Sequence, residues 1–328
     1  MHHFRAMNTN FYTAGLSTAS ELQAESWFAF VEQHLSRFQP DSELSRLNAQ
    51  AGYPFYASPL LYEAVKEALH FYECTDGIFN PLMGDILCQL GYDRSFDWDH
   101  ISLSNTPLQQ QTNAAMAYRH PPAYRRFGQT YYTLDPVLHT IHMHGDMQLD
   151  LGGIAKGWSA AQFASIVQEQ GEQSGLIDAG GDLVIWGSQQ RAYCVEIADP
   201  WEDRKTAASI DLVRDAGIAT SSTLRRSWQG SDNRHYHHLL DPRSGTSAQS
   251  EWVQMTVISP SLTYAEVYAK CVLILGVDEG PRWLRRQTDN AVMIGFCADG
   301  SCIIDGLLSQ YGQWNRQGEW TTYEQYMA

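Results

Sequence analysis

The segment Asp150-Leu151-Gly152-Gly153-Ile154-Ala155-Lys156-Gly157 combines residue types suited to a phosphorylated ligand. A carboxylate ends an apolar strand, two glycines follow, and a lysine opens a helix. Glycine lets a ligand approach the backbone, and a helix start offers free N–H groups with a positive dipole end. A strand-turn-helix corner carrying a surface lysine is the competing reading, because short glycine motifs are weak signals. The glycine spacing fits neither a P-loop nor a dinucleotide fingerprint.

Other segments carry chemistry of their own. In His237-His238-Leu239-Leu240-Asp241-Pro242-Arg243-Ser244-Gly245, a tight turn brings His238 and Asp241 close. A histidine there can move a proton near neutral pH, although it can also simply cap the turn. Thr75-Asp76-Gly77-Ile78-Phe79-Asn80-Pro81 stops a helix and can present Phe79 to a flat ring and Asn80 to a polar edge. Asp178-Ala179-Gly180-Gly181-Asp182 breaks a strand with glycines flanked by acids, which marks a bulge or a close backbone approach. His142-Met143-His144 and His235-Tyr236-His237 each put two imidazoles on one face of a strand. Neither has a nearby cysteine or a clear third ligand, which argues against zinc. No Gly-x-Ser-x-Gly nucleophile motif occurs, so an esterase or protease is disfavoured.

The elements that must position these groups follow from periodicity. Residues 21–38 read as a helix, with Ala24, Trp27, Phe28, Val31, Leu35 and Phe38 at helical spacing and Ser20 as N-cap. A short helix restarts at 41–45. Residues 59–74 form an amphipathic helix whose stripe is Leu61, Ala64, Val65, Ala68, Leu69 and Tyr72. Two strands are expected in 130–150 around His144-Gly145-Asp146, and a helix over 156–170 stopped by Gly171. Strands are expected at 176–186 (interrupted at 179–182), 192–198, 207–212, 252–259, 291–297 and 301–304. Helices are expected at 262–275 and 279–287. This order lacks a βαβ rhythm, which favours an α+β fold with mixed and antiparallel sheets under packed helices. One domain over 1–328 is expected, with a polar surface excursion at about 93–125.

Composition narrows the partners. The net charge of -15 disfavours non-specific binding to nucleic acid or anionic membrane. No apolar run approaches the roughly 20 residues of a membrane helix, so no membrane insertion is expected. The N-terminus lacks the apolar core of a signal peptide. Six cysteines without metal-type spacing read as buried small residues in a reducing compartment. A cytoplasmic location is the expectation.

Taken together, the segments resemble the ApbE family of FAD:protein FMN transferases, from Ala6-Met7-Asn8-Thr9 to about Gly276. Ser36-Arg37-Phe38 through Ser42-Glu43-Leu44-Ser45-Arg46-Leu47-Asn48 is similar to the family's N-terminal signature. Gly77–Pro81 is similar to its Gly-x-Phe-Asp-Pro, with Asn80 for Asp. Asp150–Gly157 matches closely, and Asp178–Asp182 resembles Asn-x-Gly-Gly-Asp. Ala219-Thr220-Ser221-Ser222 and His238–Gly245 complete the ordered set. The resemblance implies a T-fold-like α+β architecture. It implies FAD as substrate and transfer of FMN to a serine or threonine of an acceptor protein, with AMP released. The alternatives are FAD pyrophosphatase activity and a non-catalytic FAD-binding protein.

Site residues carry over on the same basis. Met7, Gly77, Ile78, Phe79, Asn80, Asp150, Lys156, Gly180, Gly181, Asp182 and His238 would contact FAD. His238 would be the base, with Lys156 and Asp241 beside it in the chemistry. Magnesium would be held by the Gly153 carbonyl and by an Asp and a Thr of a later helix. Here the sequence departs from the pattern: Glu266 stands at the Asp position and Lys270 at the Thr position. At i,i+4 the two can pair. Either Lys270 replaces the ion's charge, or it swings away and Glu266 with Gly153 keeps the ion.

Overall fold

The computed structural model describes residues 1–94, 130–202, 204–229, 234–316 and 318–327. The polar excursion expected at 93–125 falls almost wholly outside the described residues. The chain forms two compact units. The first comprises Met1–Phe30, Gly153–Leu224 and Ser250–Ala328, the second Val31–Gly152 and Arg225–Gln249.

The first unit is built on a nine-stranded sheet. Its strands are β1 (His2–Ala6), β2 (Thr9–Ala14), β6 (Gly175–Ala179), β7 (Leu183–Trp186), β10 (Ala216–Ser222), β15 (Trp252–Ser259), β16 (Val292–Cys297), β17 (Cys302–Asp305) and β19 (Thr321–Thr322), in the spatial order β1-β2-β6-β7-β10-β15-β16-β17-β19. All pairings are antiparallel except β17 with β19, so the sheet is mixed. All eight residues of β15 are buried, as expected of a central strand covered on both faces. A smaller sheet of β8 (Tyr193–Ala198), β9 (Thr206–Leu212) and β18 (Gly312–Arg316) alternates buried and exposed side chains along β8. Val195, Ile210 and Leu212 of that sheet share a core with Ile218, Ile258 and Val292 of the large one.

The helices of this unit are most of α1 (Thr18–Leu35), then α5 (Ala155–Glu169), α6 (Leu262–Gln287) and the short α7 (Tyr323–Tyr326). Phe28 of α1 and Phe163 of α5 pack with Phe11 of β2 in an aromatic cluster. The cap of α1 is Ser17, whose hydroxyl accepts the Ser20 N–H at 3.3 Å. Ser20, the expected cap, is buried one turn on and donates to Glu172 at 2.6 Å. The helices expected at 262–275 and 279–287 form one span interrupted at Gly276 (φ 80°, ψ -179°), where the chain leaves helical geometry and the Val277 N–H donates to Glu251 at 3.3 Å.

The second unit holds α2 (Glu43–Ala49), α3 (Pro59–Cys74) and α4 (Gly84–Gln89). Its strands are β3 (Pro54–Tyr56), β4 (Tyr132–Asp135) and β5 (Thr140–Met143), with small hairpins β11 (Ser227–Gln229) with β12 (His235–His237) and β13 (Leu240–Asp241) with β14 (Thr246–Ser247). Helix α3 matches its expected bounds. Ser58 caps it by accepting the Leu61 N–H at 3.2 Å, Pro59 opens it, and the whole predicted stripe is buried. The Glu43 carboxylate accepts from the Ser58 N–H at 2.7 Å and its hydroxyl at 2.5 Å, tying the start of α2 to the start of α3. The turn between β4 and β5 is at 136–139, where Asp135 accepts the N–H groups of Val137 and Leu138 at 2.8 and 3.0 Å. The expectation of a turn at His144-Gly145-Asp146 is corrected: that stretch follows β5. The asparagine-like turn chemistry of Asp135 outweighs the glycine signal.

Candidate functional site

In the first unit, the start of α5 gathers four charged side chains. Lys156 forms an ion pair with Asp182 and lies 3.5 Å from Glu266 Oε1. Lys270 Nζ lies 3.2 Å from the same Oε1 and 3.3 Å from the Glu266 carbonyl. The Gly157 N–H donates to Glu266 Oε2 at 2.8 Å. Both lysine side chains are 13% exposed and Glu266 only 2%. Two acids and two ammoniums thus neutralise one another in a buried place, which is how a buried charge is tolerated. Burial alone would raise the Glu266 carboxyl, but Lys270 first and Lys156 next hold it down at about 2.

Backbone geometry explains why this gathering occurs. Gly157 sits in the first turn of α5, and a Cβ there would come within 2.7 Å of Glu266 Oε2. Glycine at this position therefore lets the carboxylate cap the helix. Glu266 thus takes one of the N–H groups that the helix start offers. Asp182 is placed by a two-residue turn between β6 and β7. Gly180 and Gly181 both have positive φ (75° and 94°), and the Ala179 N–H closes the turn on the Asp182 carbonyl at 2.8 Å. The expected strand break is thus a hairpin. Asp182 also accepts the Thr220 N–H at 3.2 Å, which brings in the Ala219–Ser222 motif. Burial pushes the Asp178 carboxyl up, partly offset by the Gly181 N–H, which donates to it at 2.6 Å.

A Cβ built at Gly181 would have no described atom within 4 Å, so this backbone faces open space one residue from Asp182. Met7 occupies the first position of the β1–β2 turn, where Met7 and Asn8 both have positive φ (48° and 55°). Its sulfur accepts from the Ser159 hydroxyl of α5 at 3.9 Å. Gly153 is half-buried in the turn leading into α5.

In the second unit, Asp150 is held by Arg37 and accepts the Gly152 N–H at 2.9 Å. The Arg37 guanidinium lies over Phe38 (4.2 Å) and Tyr92 (4.8 Å). The last residue of the N-terminal signature, Asn48, exchanges two hydrogen bonds with the Leu149 backbone, at 2.9 and 2.8 Å, and so fixes the approach to Asp150. The sequence shows Arg37 and Asn48 only as parts of a motif; their partners lie 113 and 101 residues away and leave no local signal.

The remaining expected site residues of this unit are placed as follows. Ile78 and Phe79 are buried, and the Phe79 ring meets Phe71 edge-on at 6.4 Å, so it packs toward α3. Asn80 accepts the Leu82 N–H at 2.9 Å, and Gly77 (φ 81°) ends α3 by donating to the Tyr72 carbonyl at 2.8 Å. His238 is half-buried with its ring edge-on to Tyr92 at 6.5 Å. Tyr92 stacks on Trp228 at 5.5 Å. The Asp241 carboxylate is engaged by the Arg243 guanidinium (2.9 Å) and N–H (2.8 Å).

Magnesium would have to find its ligands among these donors. It needs oxygens in near-octahedral array. Glu266 Oε1 already serves two ammoniums and Oε2 a backbone N–H, while Lys270 offers no acceptor. The donor set does not fit the ion. No group of three His, Cys, Asp or Glu side chains able to hold a metal occurs among the described residues. Cys74, Cys88 and Cys194 are exposed and Cys271, Cys297 and Cys302 buried, each a thiol, which corrects the expectation that all six are buried. No described helix is long and apolar enough to cross a membrane.

An α+β protein with a neutralised lysine–carboxylate cluster at a helix start is thereby defined. The ApbE family model matches residues 7–294, and the chain belongs to that family. It is 30% identical over 286 residues to the FAD:protein FMN transferase of Treponema pallidum, covering 81% of this chain and 75% of that one. It is 26% identical to that of Vibrio cholerae, covering 81% and 77%. Among solved structures, the ApbE protein of Thermotoga maritima superposes with a TM-score of 0.76 at 20% identity, covering 94% of this chain and 96% of that one. The flavinyl transferase ApbE of Pseudomonas stutzeri gives 0.69 at 20% identity, covering 93% of each chain. These superpositions establish the fold.

Proposed function

We propose that the chain transfers FMN from FAD to a serine or threonine hydroxyl of an acceptor protein, releasing AMP. The observation that carries the reading is the Lys156–Asp182 pair at the start of α5, beside the open backbone of Gly181, on a chain of the ApbE family. The acceptor oxygen forms a bond to the FMN phosphorus as the bond from that phosphorus to the bridging oxygen breaks. AMP leaves with the bridging oxygen, and the hydroxyl proton passes to a base, for which His238 is the proposed residue. Such transfer needs positioning and charge stabilisation more than covalent help. Lys156 supplies fixed positive charge, and Asp182 orients it. No step is routed through magnesium, whose donors do not fit. The chain's thiols suit a reducing compartment, and we place the reaction in the cytoplasm.

The test is incubation of the purified chain with FAD and acceptor proteins bearing an Asp-x-x-Ser/Thr-Gly/Ser-Ala-Thr site. Covalent flavin by mass spectrometry together with AMP is expected, and absence of both would end the enzyme reading. His238→Ala should slow transfer more than it weakens FAD binding; equal losses would make His238 a binding residue. One observation favours a second reading, FAD binding without turnover: the carboxylate of Glu266 is already fully engaged. Tight FAD binding with no AMP would support it.

A further inference from the structure

The Glu266 and Lys270 positions depart together from the family pattern, and the structure shows what the departure builds. Lys270 is not a long side chain reaching into solvent. Its ammonium is held on both the carboxylate and the carbonyl of Glu266, one helical turn back on α6, at 3.2 and 3.3 Å. Glu266 is locked in turn by Lys156 and by the Gly157 N–H. A lysine that swung away would leave a buried carboxylate short of one counter-charge, which is costly. The held position is the one that gives the Glu266 carboxylate its second counter-charge.

We propose that the Lys270 ammonium stands in for the divalent cation in this chain, which therefore handles the pyrophosphate of FAD without a bound metal. The proposal rests on the FAD reading above. A protonated ammonium cannot ligate a metal, and its charge occupies the place where a cation would be drawn to Glu266. An ammonium offers three N–H donors, so one that gives two to Glu266 keeps a third for a phosphate oxygen. Lys270 would then be a binding group at the phosphates, with Lys156 beside the same carboxylate.

The experiment uses the full chain stripped of metal with a chelator. Mn2+ binding is followed by electron paramagnetic resonance, FAD binding by flavin fluorescence, and AMP release by chromatography. For the wild type we expect no Mn2+ bound in the absence of nucleotide, and FAD affinity and AMP release that change less than about twofold on adding Mg2+. Lys270→Thr, which restores an oxygen ligand, should acquire Mn2+ binding, lose about tenfold or more of AMP release in chelator, and regain it with Mg2+. Lys270→Met, with neither charge nor oxygen, should weaken FAD binding about tenfold in a way Mg2+ does not restore. Wild-type Mn2+ binding that Glu266→Gln removes, wild-type AMP release that chelator abolishes, or unchanged FAD affinity in folded Lys270→Met would each overturn the proposal. If no variant binds FAD under any condition, the FAD reading itself fails. The Mn2+ titration of wild type against Lys270→Thr still judges whether the lysine excludes the ion.

Discussion

Substitution of Gly157 by alanine sets two effects of opposite sign against each other. In an ordinary helix, alanine is favoured over glycine by about 1 kcal/mol, and less in the first turn. Here the added methyl would lie 2.7 Å from Glu266 Oε2, 3.3 Å from Glu266 Cβ and 3.3 Å from Leu262 Cγ. A carboxylate tip normally moves aside cheaply. This one is 2% exposed and held by Lys156, Lys270 and the Gly157 N–H, so yielding breaks contacts. Loss of a hydrogen bond to a charged group costs roughly 1.5–3 kcal/mol, and partial unpairing of a buried carboxylate adds to that. The net expectation is a destabilisation of about 1–3 kcal/mol after the propensity gain is subtracted. Urea unfolding should show a lower midpoint with an unchanged slope. In a Glu266→Ala background the same substitution should cost clearly less, because the 2.7 Å contact with the carboxylate is gone and only the 3.3 Å contacts with the Cβ of residue 266 and with Leu262 Cγ remain. A Gly157→Ala protein as stable as wild type or more so would refute the reasoning, since it would mean Glu266 is free to move.

Two further outcomes follow from the same structure. Glu266 has a folded carboxyl pKa of about 2 against an ordinary 4.5, so its contribution to stability is full above about 4.5 and is lost as pH falls from there toward about 2. Glu266→Gln should flatten the acid limb of a stability-versus-pH curve; an unchanged limb would contradict the pairing with Lys156 and Lys270. Asn48→Ala removes two hydrogen bonds to the Leu149 backbone and should cost about 2–3 kcal/mol in urea unfolding, while a cost below about 0.5 kcal/mol would mean water replaces the amide.

What could be read from the sequence was local. Helix α3 was legible to the residue because Ser58, Pro59 and the apolar stripe agree with one another. The α+β class followed from the order of strands and helices. Strands β1 and β2 were missed because His2–Ala6 and Thr9–Ala14 lack an apolar run, and their turn uses Met7 and Asn8 in place of glycine. β10 and β18 went unread for a related reason: their pairing partners in the sheet, not their own composition, make them strands. In the candidate site, the ordered motifs contain Lys156 and Asp182, which the structure pairs, and the i,i+4 relation of Glu266 and Lys270 could be seen directly. The ties between Lys156 and Asp182, Gly157 and Glu266, or Arg37 and Asp150 could not, since they join residues 26, 109 and 113 positions apart.

Glu266 and Lys270 of α6 are best understood as one unit. Glutamate is longer than aspartate by one carbon–carbon bond, about 1.5 Å. From the same place on α6, an aspartate carboxylate would fall short of the Gly157 N–H by about that length and lose a 2.8 Å contact. The added length lets position 266 cap α5, and capping commits both oxygens to the protein. A carboxylate so committed still needs a second positive charge besides Lys156, because Asp182 already claims that ammonium. A threonine at position 270 would not supply the charge. Lysine does, from the same face of the same helix, at 3.2 Å. Glutamate without the lysine would leave a buried charge under-compensated, and the lysine without glutamate would lose its carboxylate partner. Each residue makes the other necessary, and the cluster they complete is neutral without a metal.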